Sequence, residues 1–199
     1  MYPLVESLKY QNGKLFHIEY HNARLNNTRK VLYDAADQWN LAKLISLPEF
    51  EKDVVYKCRF LYGKEPGHAE FAKYTMKQIT SLKLVEDNEI DYSIKYTEKK
   101  RFDLLKQQCE VDCDILIVKN GYITDTSYSN IVFSDGKSWF TPAKPLLNGT
   151  KRQYYLDQKL ITPAEIPVEK LNQFKCARVI NALIDLDESP EIQIQNITW

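Results

Sequence analysis

Apolar and polar residues alternate along several short stretches of this chain, which is the period of a strand with one buried face. Residues 3–10 alternate in this way and end at Asn12-Gly13, a dipeptide that favours a tight hairpin turn. Residues 14–20 are therefore predicted to return as a second strand. Residues 54–63 are rich in β-forming residues. Residues 70–85 are ambiguous by period, but their Tyr, Thr and Ile content favours a strand over a helix.

Apolar groups at steps of three and four residues replace this alternation over residues 22–45, which predicts a helix. The residues that carry this spacing are Leu25, Val31, Leu32, Ala35, Ala36 and Trp39. Shorter helices are predicted over residues 99–109 and 150–161. Residues 166–186 have the pattern of a helix followed by a buried strand.

The second half of the chain is rich in predicted hairpins. Residues 90–97 are expected to form a strand, and residues 114–127 form two strands turned by Asn120-Gly121. Residues 130–142 repeat this arrangement around Asp135-Gly136. These elements predict an α+β fold.

The polar stretch 86–89 is the one plausible domain boundary, because the pattern of the sequence changes after it to a series of predicted hairpins. We therefore expect a small α/β domain over residues 1–87, followed by a strand-rich domain over residues 88–199.

Composition excludes several classes of function. Lys+Arg and Asp+Glu both number 27, so the net charge is zero and gives no reason to expect a nucleic acid or an anionic membrane as partner. No apolar run approaches the length of a membrane span, and the first residues lack the pattern of a signal peptide, so a cytoplasmic protein is expected. The four cysteines and three histidines do not form two ligand pairs at zinc spacing, so no metal site is predicted.

Five stretches, in order along most of the chain, resemble motifs of the fold-type IV enzymes that use pyridoxal 5′-phosphate (PLP). That family includes branched-chain and D-amino-acid aminotransferases and 4-amino-4-deoxychorismate lyase. The stretches are EYHNARL (19–25), YSIKYTEK (92–99), NGYITDTSYSNIVF (120–133), LLNGTKR (146–152) and VINALI (179–184). Each motif is weak alone, but five in the family's order are fairly specific. The resemblance implies a D-amino-acid aminotransferase-like fold and PLP as the cofactor.

PLP needs from a protein an amine for its aldehyde, a carboxylate for its ring nitrogen and donors for its phosphate. The resemblance implies that Lys95 is the amine, and loss of solvation among aromatic neighbours would make it nucleophilic. From its position alone, Lys95 reads as a surface lysine on a half-buried strand. Lys99 and Lys100 are rivals, but they stand where charges begin a helix and are expected to be solvated.

The resemblance also implies that Asp125 stands where the family has a Glu that pairs with the ring nitrogen. Without the resemblance, Asp125 reads as a residue that caps a turn. The hydroxylic residues around it are expected to satisfy the turning backbone. The resemblance also implies that Ser129 and Asn130, in the same motif, belong to the residues that bind the cofactor.

The phosphate site implied by the resemblance has three parts. Arg24 would bind two phosphate oxygens through its guanidinium. Gly149 and Thr150 lead into a helix whose N-terminal N–H groups suit an anion, although a turn with an N-cap Thr is the plainer interpretation. Asn181 is a buried-looking amide that needs a partner, which the phosphate or the nearby turn could supply. His21 is expected to be structural, and Glu6 is expected to shape the pocket mouth.

Three functions stay open at this level. The NAL segment and the short N-terminal half favour a lyase that releases pyruvate from aminodeoxychorismate to give 4-aminobenzoate. An aminotransferase on branched-chain or D-amino acids is the alternative, and a homologue that shares only the fold or the cofactor is the third. The family resemblance also implies an amino-acid-like substrate and a homodimer.

Overall fold

The computed structural model describes residues 2–199, which form two compact units. The first contains the described residues up to Thr75 together with Ile94–Glu98, and the second contains Met76–Ser93 and Lys99–Trp199. Lys95 is therefore part of the first unit. The many strands and few helices confirm the predicted α+β class. The domain boundary at residue 87 stays a prediction.

The first unit is built on a four-stranded antiparallel sheet in the order β2-β1-β3-β4. Its strands are β1 (Leu4–Gln11), β2 (Lys14–Leu15), β3 (Tyr56–Tyr62) and β4 (Pro66–Lys73). Asn12 and Gly13 turn the first hairpin with φ angles of 50° and 76°, as their residue types predicted. The returning strand is shorter than predicted, because His17 takes a left-handed φ of 53° and a helix begins directly after it.

Two helices, α1 (Ile18–Tyr33) and α2 (Leu41–Leu44), replace the single helix predicted over residues 22–45. Asp34 ends α1 with a left-handed φ of 50°, and its N–H donates to carbonyl groups of the last turn. The Asn26 side chain then holds both backbone groups of Trp39, at 2.8 and 2.9 Å. The prediction of a continuous helix was wrong because these contacts stabilise a loop.

The second unit contains a nine-stranded sheet in which β10-β9-β8-β7-β6-β5-β13 are neighbours, and β11 pairs with β8 and β12. The strands are β5 (Ser81–Glu86), β6 (Cys113–Lys119), β7 (Tyr122–Thr126), β8 (Asn130–Ser134), β9 (Trp139–Pro142), β10 (Thr162–Ala164), β11 (Cys176–Ile180), β12 (Ile192–Gln193) and β13 (Ile197–Thr198). Both predicted hairpins are present, as β6-β7 and β8-β9.

The helices of the second unit are α3 (Lys100–Lys106) and α4 (Thr150–Asp157), with 3₁₀ turns at Val168–Gln173 and Ile194–Asn196. A helical turn followed by buried strand β11 confirms the pattern predicted for residues 166–186. None of the helices in residues 2–199 is both long enough and apolar enough to cross a bilayer.

Two predicted strands differ in the structure. The strand expected over residues 70–85 is divided into β4 and β5, which belong to different units. The segment 90–97 is not a strand: only Tyr96 forms an isolated bridge, to Leu4. Individual backbone hydrogen bonds hold the segment beside the start of β1: the Lys95 carbonyl accepts from Val5 N at 3.2 Å, and Thr97 N donates to the Pro3 carbonyl.

Candidate active site

Lys95 lies half-buried beside the start of β1 in the first unit. Ile94 packs against the hydrophobic core of that unit, so the backbone that carries Lys95 is anchored on both sides. Burial lowers the pKa of His21, and the charges of Arg24 and, least of all, Lys95 act in the same direction. The amine predicted to be reactive therefore lies close enough to His21 of α1 for its charge to act on that side chain.

The two rival lysines differ from each other. Lys100 is exposed, as expected for a solvated helix start. Lys99 is not simply solvated: its Nζ donates to the Ser127 carbonyl at 2.8 Å and lies over the rings of Tyr92 and Phe102. Lys99 thus serves as a tether in the second unit.

Arg24 forms a fork with a buried carboxylate in the first unit. Its Nε donates to Glu6 Oε1 at 2.9 Å and its Nη2 to Glu6 Oε2 at 2.5 Å. His21, three residues earlier on α1, places Nδ1 at 2.6 Å from Glu6 Oε2. Glu6 is entirely buried, whereas the Arg24 side chain retains 14% exposure. A single carboxylate therefore fixes two side chains of the stretch EYHNARL, His21 and Arg24.

The protonation of this cluster follows from its burial and its charges. Burial alone would raise the pKa of Glu6, but the Arg24 charge and the hydrogen bonds outweigh it and lower the pKa to about 2. Burial lowers the pKa of His21, although Glu6 opposes that shift. Near neutral pH, Glu6 is thus ionised and His21 is neutral, with its Nδ1–H donating to the carboxylate.

Asp125 lies near the end of β7, at the one position where β7 pairs with β8. Its Oδ1 accepts from the Asn130 side chain at 2.7 Å, and its Oδ2 accepts from Leu147 N at 2.9 Å. Burial raises the pKa of Asp125 to about 6, although those two hydrogen bonds and the charge of Arg152 favour the ionised form. Asp125 is therefore a buried carboxyl group that titrates close to neutral pH.

The hydroxyl groups of the turn after Asp125 hydrogen-bond to the backbone, as the sequence predicted, and also to neighbouring side chains. Thr126 Oγ1 accepts from Ser129 N at 3.1 Å, and Ser127 Oγ donates to buried Asp114 at 2.6 Å. Asn181 donates from Nδ2 to Ser129 Oγ at 2.8 Å. The partner that the Asn181 amide was expected to need is thus this turn.

Gly149 precedes α4, whose first residue, Thr150, is buried. A Cβ added at Gly149 would lie 1.9 Å from Asn130 Oδ1, so the close approach that requires glycine here is to Asn130. Arg152, in the first turn of α4, donates to the Pro142 carbonyl at 2.8 Å and to Asn148 Oδ1 at 3.2 Å. The helix start and the Asp125 carboxylate are therefore connected through Asn130.

Gly149→Ala is expected to destabilise the protein by about 1–3 kcal/mol, because the new methyl group must displace an Asn130 side chain that is held by Asp125 and the Leu147 carbonyl. Urea unfolding monitored by fluorescence measures the change. The double variant Gly149→Ala/Asn130→Ala should cost less than the sum of the two single variants, because it removes the clashing atom. Strictly additive free energies would contradict this account.

The structure distributes the predicted site residues over its two units. The first unit holds Lys95 and Arg24. The second holds the remaining predicted residues, which are Asp125, Ser129, Asn130, Gly149, Thr150 and Asn181. No group of three or more His, Cys, Asp or Glu side chains among residues 2–199 is placed to hold a metal ion.

Sequence reasoning missed the partners that hold these groups. Glu6 was predicted only to shape the pocket mouth, yet it binds both Arg24 and His21. Its signal was an acid in an alternating row otherwise occupied by Leu4 and Leu8. Asp114 gave no comparable signal, since its role depends on where β6 runs beside the turn that holds Ser127.

Comparison with known proteins supports a single family. The family model described as amino-transferase class IV matches residues 3–186. A protein of Haemophilus influenzae whose function is uncharacterized is 34% identical over 185 residues, which is 92% of this chain and 98% of that protein.

Solved structures extend the likeness to the fold. A Haemophilus somnus protein that carries the provisional name 4-amino-4-deoxychorismate lyase has a TM-score of 0.85 and 30% identity, and the match covers 94% of this chain and 98% of that one. A hypothetical aminotransferase of Mycobacterium tuberculosis, solved with alpha-ketoglutarate and PMP bound, has a TM-score of 0.74 at 13% identity, over 96% of this chain and 80% of that one. At that low identity the second likeness shows the fold alone.

Proposed function

Because the chain belongs to the class IV aminotransferase family, whose members depend on PLP, we propose that it is a 4-amino-4-deoxychorismate lyase-like enzyme. It would release pyruvate from aminodeoxychorismate and leave 4-aminobenzoate. This reaction would place the enzyme in folate biosynthesis. The observation that carries this proposal is the likeness to the Haemophilus somnus protein, which extends over nearly all of both chains. We further propose that the enzyme is a cytoplasmic homodimer.

The groups described above fit PLP in their chemistry. Asp125 offers a buried carboxylate in which each oxygen accepts one hydrogen bond, and an ionised carboxylate has capacity for more. Arg24 presents a guanidinium, and Lys95 presents an amine. When bound, PLP supplies an electron-withdrawing ring that stabilises the negative charge left at the substrate's α-carbon.

In the proposed division of work, the Lys95 amine would hold the cofactor through its aldehyde group and would move a proton at the substrate's α-carbon. Asp125 would accept a hydrogen bond from the ring nitrogen and would favour the protonated form of that nitrogen. Arg24 would bind the phosphate through its guanidinium, and the N-terminal N–H groups of α4, at Gly149 and Thr150, are separately proposed as donors to a phosphate. Ser129, Asn130 and Asn181 hold the turn and the Asp125 carboxylate in position.

One pair of assays tests the reaction. The purified protein is incubated with PLP and aminodeoxychorismate, and pyruvate is measured with lactate dehydrogenase and NADH. In parallel, amino donors of the branched-chain and D-series are offered with 2-oxoglutarate, and keto-acid production is measured. Pyruvate released from aminodeoxychorismate, with no keto acid formed from the amino donors, supports the lyase. Keto acid formed from the amino donors, with no pyruvate from aminodeoxychorismate, assigns an aminotransferase. A protein that binds PLP but does neither would be a homologue without catalysis.

The affinity for PLP is expected to rise as the pH is raised through about 6, because only ionised Asp125 can hold the ring nitrogen in its protonated form. The pKa of this carboxyl group is raised in the folded protein, so it is protonated below that pH. Absorbance titrations with PLP at several pH values measure the effect. The ionisation of PLP itself contributes equally to the pH dependence in all variants. Asp125→Asn should therefore lose only the part of the pH dependence that comes from the protein. An identical pH profile in Asp125→Asn would contradict the assignment.

A further inference from the structure

Glu6 occupies a position where stability alone favours an apolar residue. On β1 it lies in the same alternating row as Leu4 and Leu8, which belong to the core of the first unit, and it is as completely buried as they are. Replacement of a buried ion pair by well-packed apolar side chains is often neutral or stabilising. A carboxylate in this row therefore indicates a demand other than the strength of the core.

The contacts of Glu6 show what it controls. Its two oxygens receive Nε and Nη2 of Arg24, at 2.9 and 2.5 Å, so they fix both the plane and the rotation of the guanidinium. The second oxygen also receives His21 Nδ1 at 2.6 Å, which fixes the tautomer and ring orientation of that histidine. The Arg24 side chain keeps 14% of its surface exposed, whereas the Glu6 side chain is fully buried, so part of Arg24 is accessible to a ligand.

We propose that Glu6 is a positioning residue for phosphate recognition: its carboxylate holds one edge of the Arg24 guanidinium and thereby directs the charge of Arg24 at the cofactor phosphate. This inference rests on the proposed PLP-dependent function and deepens it. Side chains that are held before a ligand arrives lose less entropy when it binds, so the contribution of Glu6 is to affinity for the phosphate and not to chemistry at the α-carbon.

The phosphate-specific part of binding can be isolated by comparing PLP with pyridoxal, which has the same ring and aldehyde but no phosphate. Both compounds are titrated into the protein by visible absorbance. Glu6→Gln is expected to raise the Kd for PLP about tenfold to a hundredfold, because charge-assisted hydrogen bonds to Arg24 are lost. The Kd for pyridoxal should change by less than about threefold.

Arg24→Gln gives the second arm of the experiment. If Glu6 acts through Arg24, Glu6→Gln in the Arg24→Gln background should leave the ratio of the two dissociation constants unchanged. Glu19→Gln is the matched control, because Glu19 is an exposed acid in the first turn of α1. It should leave both dissociation constants and the melting temperature unaltered. Glu6→Asp, which keeps the charge on a shorter arm, replaces Glu6→Gln if that variant does not fold.

The outcomes separate this inference from the function on which it rests. Wild-type protein that binds no PLP would overturn both. If the wild-type protein binds PLP, but the ratio of the Kd for PLP to the Kd for pyridoxal is the same in the Glu6 variant, the positioning role alone is overturned. This includes the case in which both compounds bind more weakly by the same factor. Failure of both Glu6→Gln and Glu6→Asp to fold, while Arg24→Gln folds, would also overturn the positioning role, because Glu6 would then be a structural partner only.

Discussion

Lys95→Ala is expected to yield a colourless protein whose turnover falls by at least about four orders of magnitude, because in the proposed site the variant would lose both the covalent attachment of the cofactor and the group that moves the proton. The wild-type protein should be yellow after purification with PLP, and its colour should survive dialysis. Visible absorbance and the pyruvate assay measure the two effects.

A chemical experiment identifies the lysine directly. Borohydride reduction of the PLP-loaded wild-type protein should fix the cofactor to the chain, and peptide mass spectrometry should find it on Lys95. Lys100→Ala is the matched control, since Lys100 is exposed at the start of α3 and should be dispensable. A small primary amine added to Lys95→Ala should restore part of the turnover. Label on Lys99 or Lys100 would contradict the assignment.

Asp125→Asn has the second-largest expected effect, a fall in kcat of about 10²–10³-fold, which is typical for loss of one preorganised electrostatic partner. The amide cannot carry the negative charge that, in the proposed site, would keep the ring nitrogen protonated. The buried position and the raised pKa of Asp125 show that ionising this carboxyl group is costly in the fold, so its presence is more readily explained by function than by stability.

The measurement must separate loss of chemistry from loss of folded protein. Turnover is therefore expressed per PLP-loaded site, and the melting temperature is recorded for each variant. Asp103→Asn, which changes an exposed acid in the first turn of α3, should leave both quantities unchanged. If Asp125→Asn lowers the melting temperature but retains wild-type turnover per loaded site, Asp125 holds the turn and does not serve the cofactor.

Local chemistry made several elements of the fold readable from the sequence. Asn12-Gly13 and Asn120-Gly121 favour left-handed φ angles at both turn positions, so their hairpins were predicted correctly without any knowledge of distant contacts. The motifs around Arg24 and Asp125 also identified the family, because the residue types that PLP chemistry requires recur in a fixed order.

Tertiary contacts decided the features that the sequence predicted wrongly or left open. The helix ends at Tyr33 because Asp34 turns left-handed and Asn26 holds Trp39, an interaction that apolar spacing does not reveal. The segment of Lys95 is not a strand, because isolated backbone bonds to the start of β1 hold it in place of a continuous ladder.

The candidate site divides in the same way. The sequence by itself determined which side chains can serve as amine, carboxylate and guanidinium, since those capacities belong to the residue types. Only the tertiary structure decided that Glu6 holds Arg24 and that Asp125 is buried enough to titrate at about 6. Burial and through-space charge depend on residues far apart in the chain, and local sequence patterns carry little information about them.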